Sequence, residues 1–221
     1  SRRARPRRDP TSNCYRRCST VYANSNGSPP DLGGAQAVKL LIAGGFGVGK
    51  TTLVSAVSEI RPLRTEERLS ELGAAVDDLT GVGGKTTTTV ALDFGRITIN
   101  SEVVLYLFGT PGQERFWFMW KEMSAGALGA VVLADTRRLG DCFGSLDFFE
   151  SRGIPFIVAV NCFDGADIYD EDEVRGALDI PAHVPVQHCD ARDRGSSKQV
   201  LVRLLEYLMT TATVPPDHRY C

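Results

Sequence analysis

No stretch of this 221-residue chain is long and apolar enough to span a membrane. Its first residues also lack the apolar region of a secretory leader. A cytoplasmic protein is therefore expected, with membrane association only indirect, by recruitment to a membrane-associated complex. The six cysteines follow no disulfide framework. Cys142, Cys162 and Cys189 fall in or beside predicted core elements and read as reduced thiols. Cys14 and Cys18 are a lone pair, which cannot fill a tetrahedral zinc site without further ligands. Net charge is also scarce, at −2, but it is unevenly spread. Residues 1–36 hold seven arginines against two acids, leaving 18 basic and 25 acidic residues elsewhere. Such a basic arm either stays solvated or touches an acidic partner; no nucleic-acid role is expected.

What is present divides the chain into three parts. Residues 1–36 are rich in Arg, Pro, Ser, Asn and Gly and bury too little to offset the entropy of ordering. A globular domain is expected over 37–211, followed by a tail over 212–221. Within the domain, "AVKLLIAG", "TTVALDFGRITI", "EVVLYLFG", "GALGAVVLADT", "IPFIVAVNCFD" and "VPVQHCDAR" read as strands. Helices are predicted from Lys50 to about Glu59, from Asp141 to Ser151, over "DEDEVRGAL" and over "SKQVLVRLLEYLMTTA". The polar segment 61–88 reads mostly as loop, with "TEERLSELG" as a short helix. Alternation of strand and helix predicts an α/β fold of three layers. Its six-stranded sheet should be mostly parallel, with one antiparallel hairpin at the edge.

"GGFGVGKTT" is the clearest chemical signal. Gly44, Gly49, Lys50 and Thr51 match G-x-x-x-x-G-K-[ST] after an apolar strand and before a helix. Glycines let the backbone curl so that its N–H groups point inward, and the helix N-terminus adds positive potential. Lys50 supplies a cation for the β- and γ-phosphates, and Thr51 a hydroxyl for Mg²⁺. The expected phosphate-binding residues are Gly44, Gly47, Val48, Gly49, Lys50, Thr51 and Thr52. The loop alone does not choose between ATP and GTP.

Together with this loop, "VDDLTGVGGKTTTTVALDFGRI", "LYLFGTPGQERFWFMW" and "FIVAVNCFDGA" give the stretch 37–207 a resemblance to the small Ras-like GTPases. Within them it looks most like the MglA-like GTPase component of actinobacterial conservon operons. The resemblance implies a P-loop NTPase fold that binds GTP and GDP with Mg²⁺. It makes Thr89 the switch threonine that reaches Mg²⁺ and the γ-phosphate, with Thr86, Thr87 and Thr88 as competing neighbours. It places Gly112 at the γ-phosphate and Gln113 where the attacking water is oriented. The same motif has Gly109 where the family carries a magnesium-supporting aspartate; Asp93 and Asp135 are candidate substitutes. Asn161 and Asp164 fall on the base-reading motif, with Cys162 in place of its lysine. Ala191 is expected to offer its backbone N–H to the guanine oxygen, and Arg192 to cover the base.

The implied reaction is slow hydrolysis of GTP to GDP and phosphate, with Lys50, Thr89 and Gln113 as the catalytic set. A GTPase-activating partner would supply an arginine; Arg115, Arg137 and Arg138 are internal candidates. The resemblance also implies a Roadblock-type dimer and a sensor-kinase-like operon partner. "FWFMW", Phe116 to Trp120, reads either as core packing or as a partner surface. Two alternatives stay open: a nucleotide-responsive binding module with negligible hydrolysis, and an ATPase or phosphotransferase built on the same loop.

Overall fold

A computed structural model describes residues 35–61, 63–69, 88–112 and 118–213. The basic arm, most of 62–87, Gln113 and Arg115 lie outside these residues, as does the end of the chain. Strand β1, Gln36–Gly44, feeds the phosphate loop and then helix α1, Lys50–Val57. Next come β2 (Leu63–Leu69), β3 (Thr88–Thr98) and β4 (Val103–Gly109). Helix α2 (Phe118–Ser124) leads to β5 (Gly129–Ala134), a 3₁₀ segment (Thr136–Cys142) and α3 (Phe143–Ser151). The chain closes with β6 (Phe156–Asn161), α4 (Glu171–Ala177), β7 (Val186–Cys189) and α5 (Arg194–Thr213).

The strands form one seven-stranded sheet in the order β2-β3-β4-β1-β5-β6-β7. Pairing is antiparallel from β2 to β3 and from β3 to β4, and parallel elsewhere. All six expected strands are present. The seventh, β2, corrects the helix expected over "TEERLSELG" for residues 65–69; residues 70–73 lie outside the described residues. Glu, Arg and Leu are good helix formers, but propensity is readily overridden by context, and edge pairing with β3 outweighs it here. A sequence as charged as "LRTEERL" also suits an edge, since charge discourages pairing with another chain.

Side chains alternate between the sheet's two faces, so each strand feeds two cores. Leu40, Ile42, Val131, Leu133 and Ile157 pack under α1 and α5 with Leu53, Val54, Leu201 and Leu204. Leu41, Ala43, Val132, Val158 and Val160 pack on the opposite face with Trp120, Leu146, Phe149 and Val174. Burial on both faces explains the almost uniformly apolar β5 and β6. Trp120 belongs to this second core: it is 2% exposed and stacks on Phe149. Packing is therefore the role of that member of "FWFMW"; Phe116 and Trp117 lie outside the described residues. Helix α4 begins at Asp170, whose carboxylate accepts from the N–H groups of Asp172 and Glu173 while Glu173 reaches back.

Candidate functional site

The parallel strands β1, β5, β6 and β7 all deliver their C-terminal ends to one edge of the sheet, where loops can meet a ligand. The loop after β1 turns sharply at Gly49, whose φ of +106° is unfavourable for residues with a side chain. A Cβ there would also lie 2.6 Å from Asn161 Nδ2. The glycine thus serves both the turn and the contact with β6.

Lys50, only 9% exposed, curls back over the loop. Its Nζ donates to the carbonyls of Gly44 at 2.9 Å and Gly45 at 2.6 Å. Burial pulls its pKa down to about 8, against the opposing pull of Asp93. Gly112 approaches this ammonium so closely that a Cβ would sit 2.6 Å from Nζ. Loop, lysine and Gly112 therefore converge on one point. Thr52 is exposed on α1, and Thr51, Thr52, Ser55, Ala56 and Arg192 line an open hollow of about 440 Å³.

Thr51 Oγ1 donates to Asp93 Oδ2 at 2.5 Å. Asp93 is 8% exposed and stands directly opposite Gly109 in the β3–β4 ladder. Among the described residues no group of three or more His, Cys, Asp or Glu could hold a metal alone. The Thr51 hydroxyl, with the Asp93 carboxylate behind it, nevertheless fits magnesium, which commonly takes one or two protein oxygens and completes its shell with phosphate and water. Thr89 lies within β3, but its side chain is outside the described residues. Asp135 is engaged elsewhere. It caps the 3₁₀ segment, accepting from Arg137 N at 3.0 Å, and pairs with the Arg137 guanidinium at 2.8 Å. Those bonds hold its carboxyl below the usual range. Arg137 also lies over the Phe163 ring, 4.0 Å from its centroid. Arg138 instead reaches the loop, donating to Phe46 O at 3.0 Å.

Asn161 ties two loops together. Its Nδ2 donates to Val48 O and its Oδ1 accepts from Ala191 N, both at 2.9 Å. The Ala191 N–H, expected to be offered to a guanine oxygen, is thus engaged within the protein. Ser197, fully buried at the start of α5, donates to Ala191 O at 3.3 Å and braces the same loop. Arg192 is held by two carboxylates. Its guanidinium forks onto Asp164, at 2.8 Å to Oδ2 and 3.1 Å to Oδ1, and onto Asp190 at 2.9 Å. It thus pairs with the carboxylate that the sequence reading expects to meet a base. The Arg192 hydrogen bonds hold Asp164 below the usual carboxylate range. Sequence reasoning did not name Ser197, whose role depends on a loop contact without a motif.

Residues 42–211 match the family model described as conserved hypothetical ATP binding protein. Uncharacterized protein MJ1339 of Methanocaldococcus jannaschii is 32% identical over 139 residues, covering 62% of this chain and 77% of that protein. Among solved structures, the G domain of the T. maritima FeoB iron transporter superposes with a TM-score of 0.54 at 19% identity, covering 78% of this chain and 99% of that one. The FeoB G-domain from Methanococcus jannaschii gives 0.52 at 14%, with 79% and 99% covered. The T. maritima FeoB cytosolic domain in a GDP form gives 0.54 at 17%; 79% of this chain matches, spanning 64% of that domain. At these identities the structural likeness establishes the fold, that of a G-domain P-loop NTPase.

Proposed function

The chain belongs to the family described as conserved hypothetical ATP binding protein, and from that premise we propose that it is a guanine-nucleotide switch with slow, magnesium-dependent GTP hydrolysis. The family description names ATP, but the base-side residues favour guanine. Guanine presents a ring N–H and an exocyclic amino group side by side, and a carboxylate accepts both. Adenine offers no such pair and would leave Asp164 unsatisfied. The carrying observation is the Asn161 bridge, which fixes the phosphate loop and the base-side loop on one rim with Asp164 beside them. A similar solved structure described in a GDP form supports the same ligand class.

In this reading Lys50 and the inward N–H groups of the loop hold the terminal phosphates. They stabilise the charge that develops as water displaces GDP from the γ-phosphorus. Magnesium, held by Thr51 with Thr89, would supply further charge neutralisation. Gln113 would orient the water. The finer assignment to a conservon-type signalling complex, with a Roadblock-type dimer, a sensor-kinase-like protein and an activating partner, rests on the sequence resemblance alone.

Competition binding with a fluorescent GDP analogue tests the proposal. GTP and GDP should displace it at far lower concentration than ATP, and Lys50→Met should weaken binding roughly ten- to hundredfold, as expected for loss of a charged hydrogen bond. Phosphate release should be slow but measurable. Equal displacement by ATP would remove the guanine assignment; undetectable release would leave a binding module without hydrolysis.

A further inference from the structure

Gly109 lies where the sequence resemblance places a magnesium-supporting carboxylate, yet the space beside it is filled. A Cβ built on Gly109 would lie 3.0 Å from Asp93 Cβ and 3.2 Å from Asp93 Oδ2. The antiparallel register puts these two residues opposite one another, so the Asp93 carboxylate covers the Gly109 backbone. That carboxylate is buried and takes the Thr51 hydroxyl proton in a 2.5 Å hydrogen bond.

We propose that the carboxylate has moved across the ladder: Asp93 on β3 does for the nucleotide's divalent cation what Gly109 on β4 cannot. The inference rests on the nucleotide-binding reading of the same site. A hydroxyl that donates its proton to a carboxylate keeps its lone pairs for a cation and is made a better ligand by that bond. The buried negative charge also offsets the cation's. Asp93 is thus a positioning residue, acting through Thr51 and the electrostatics of the site. The exchange explains why position 109 is glycine. Two carboxylates at these paired positions would crowd and repel each other, so the site holds one. Asp135, the other candidate, is committed to Arg137.

The test titrates Mg²⁺ against the affinity of the full chain for a fluorescent GDP analogue, beginning in EDTA. For the unaltered chain, Mg²⁺ should tighten GDP binding at least tenfold. Asp93→Asn keeps the shape and a hydrogen-bonding oxygen but loses the charge. It should still bind GDP in EDTA, yet need roughly ten- to hundredfold more Mg²⁺ for half the effect. Gly109→Asp alone should lower the melting temperature through crowding. The exchanged pair, Asp93→Gly with Gly109→Asp, should restore the magnesium midpoint to within about threefold, the fold being verified by circular dichroism. Intact GDP binding with an unchanged midpoint in Asp93→Asn would overturn this inference alone. Failure of the unaltered chain to bind GDP at all would overturn the nucleotide reading and this inference together.

Discussion

Lys50 illustrates how one buried residue couples proton and ligand. Its low pKa, about 8, arises from burial in a loop that offers only carbonyl partners before phosphate arrives. The unfolded chain holds that proton up to its ordinary pKa of 10.5. Between the two values the unfolded state binds more protons, so the ligand-free fold gains stability as pH rises through this window. Nucleotide binding has the opposite sign. Phosphates favour the ammonium, so above pH 8 binding must recapture a proton. GDP affinity is therefore expected to fall as pH rises from about 8, by at most about tenfold per unit, the limit for one proton. Calorimetry at pH 9 in buffers of different ionisation enthalpy should register proton uptake, which Lys50→Met abolishes. A flat affinity profile from pH 7 to 9.5 would contradict the assignment.

At the scale of elements, the site is a meeting of loops, and its present arrangement is partly self-occupied. Asp164 follows β6 and Arg192 follows β7; their forked ion pair joins the two loops where a base is expected. A guanidinium and a guanine edge present similar paired N–H donors, so they compete for the same carboxylate. Asp190 offers Arg192 a second partner when it leaves. Exposed ion pairs contribute little, so Arg192→Ala should improve GDP affinity only roughly two- to fivefold. The gain should shrink at high salt, where screening already weakens the pair in the unaltered chain. Binding curves at low and high salt check both statements. This competition was not legible in the sequence, because positions 164 and 192 are distant in the chain. The phosphate loop was legible because its turn, cation and hydroxyl are consecutive, between an apolar strand and a helix. Strand β2 was hidden for the opposite reason: nothing within "LRTEERL" announces an edge that only β3 creates. Asp93 lay between these cases. The missing aspartate at position 109 was visible and Asp93 was a candidate, but choosing it over Asp135 required the ladder register.

Across the whole molecule, one ligand is asked to touch both halves of the sheet. Under the proposed function, phosphate groups would lie with β1 and β4, through Lys50 and Gly112, and the base with β6 and β7, through Asp164. Asn161 already joins these halves in the interior, and at the surface Arg138 reaches from the segment after β5 to the Phe46 carbonyl. A nucleotide spanning them adds contacts that only the folded chain can make. GDP at about a hundred times its dissociation constant should stabilise the fold by roughly 2.7 kcal/mol. For a domain of this size that corresponds to a rise of about 5–10 °C in melting temperature. Asp164 is largely exposed, so Asp164→Ala should leave the ligand-free melting temperature nearly unchanged while removing most of the GDP-induced rise. Scanning fluorimetry with Mg²⁺ and matched GDP and ADP concentrations separates the contributions. Phosphate-loop binding alone would stabilise the chain equally with either nucleotide, whereas engagement of both halves requires GDP to exceed ADP and requires Asp164 for the difference.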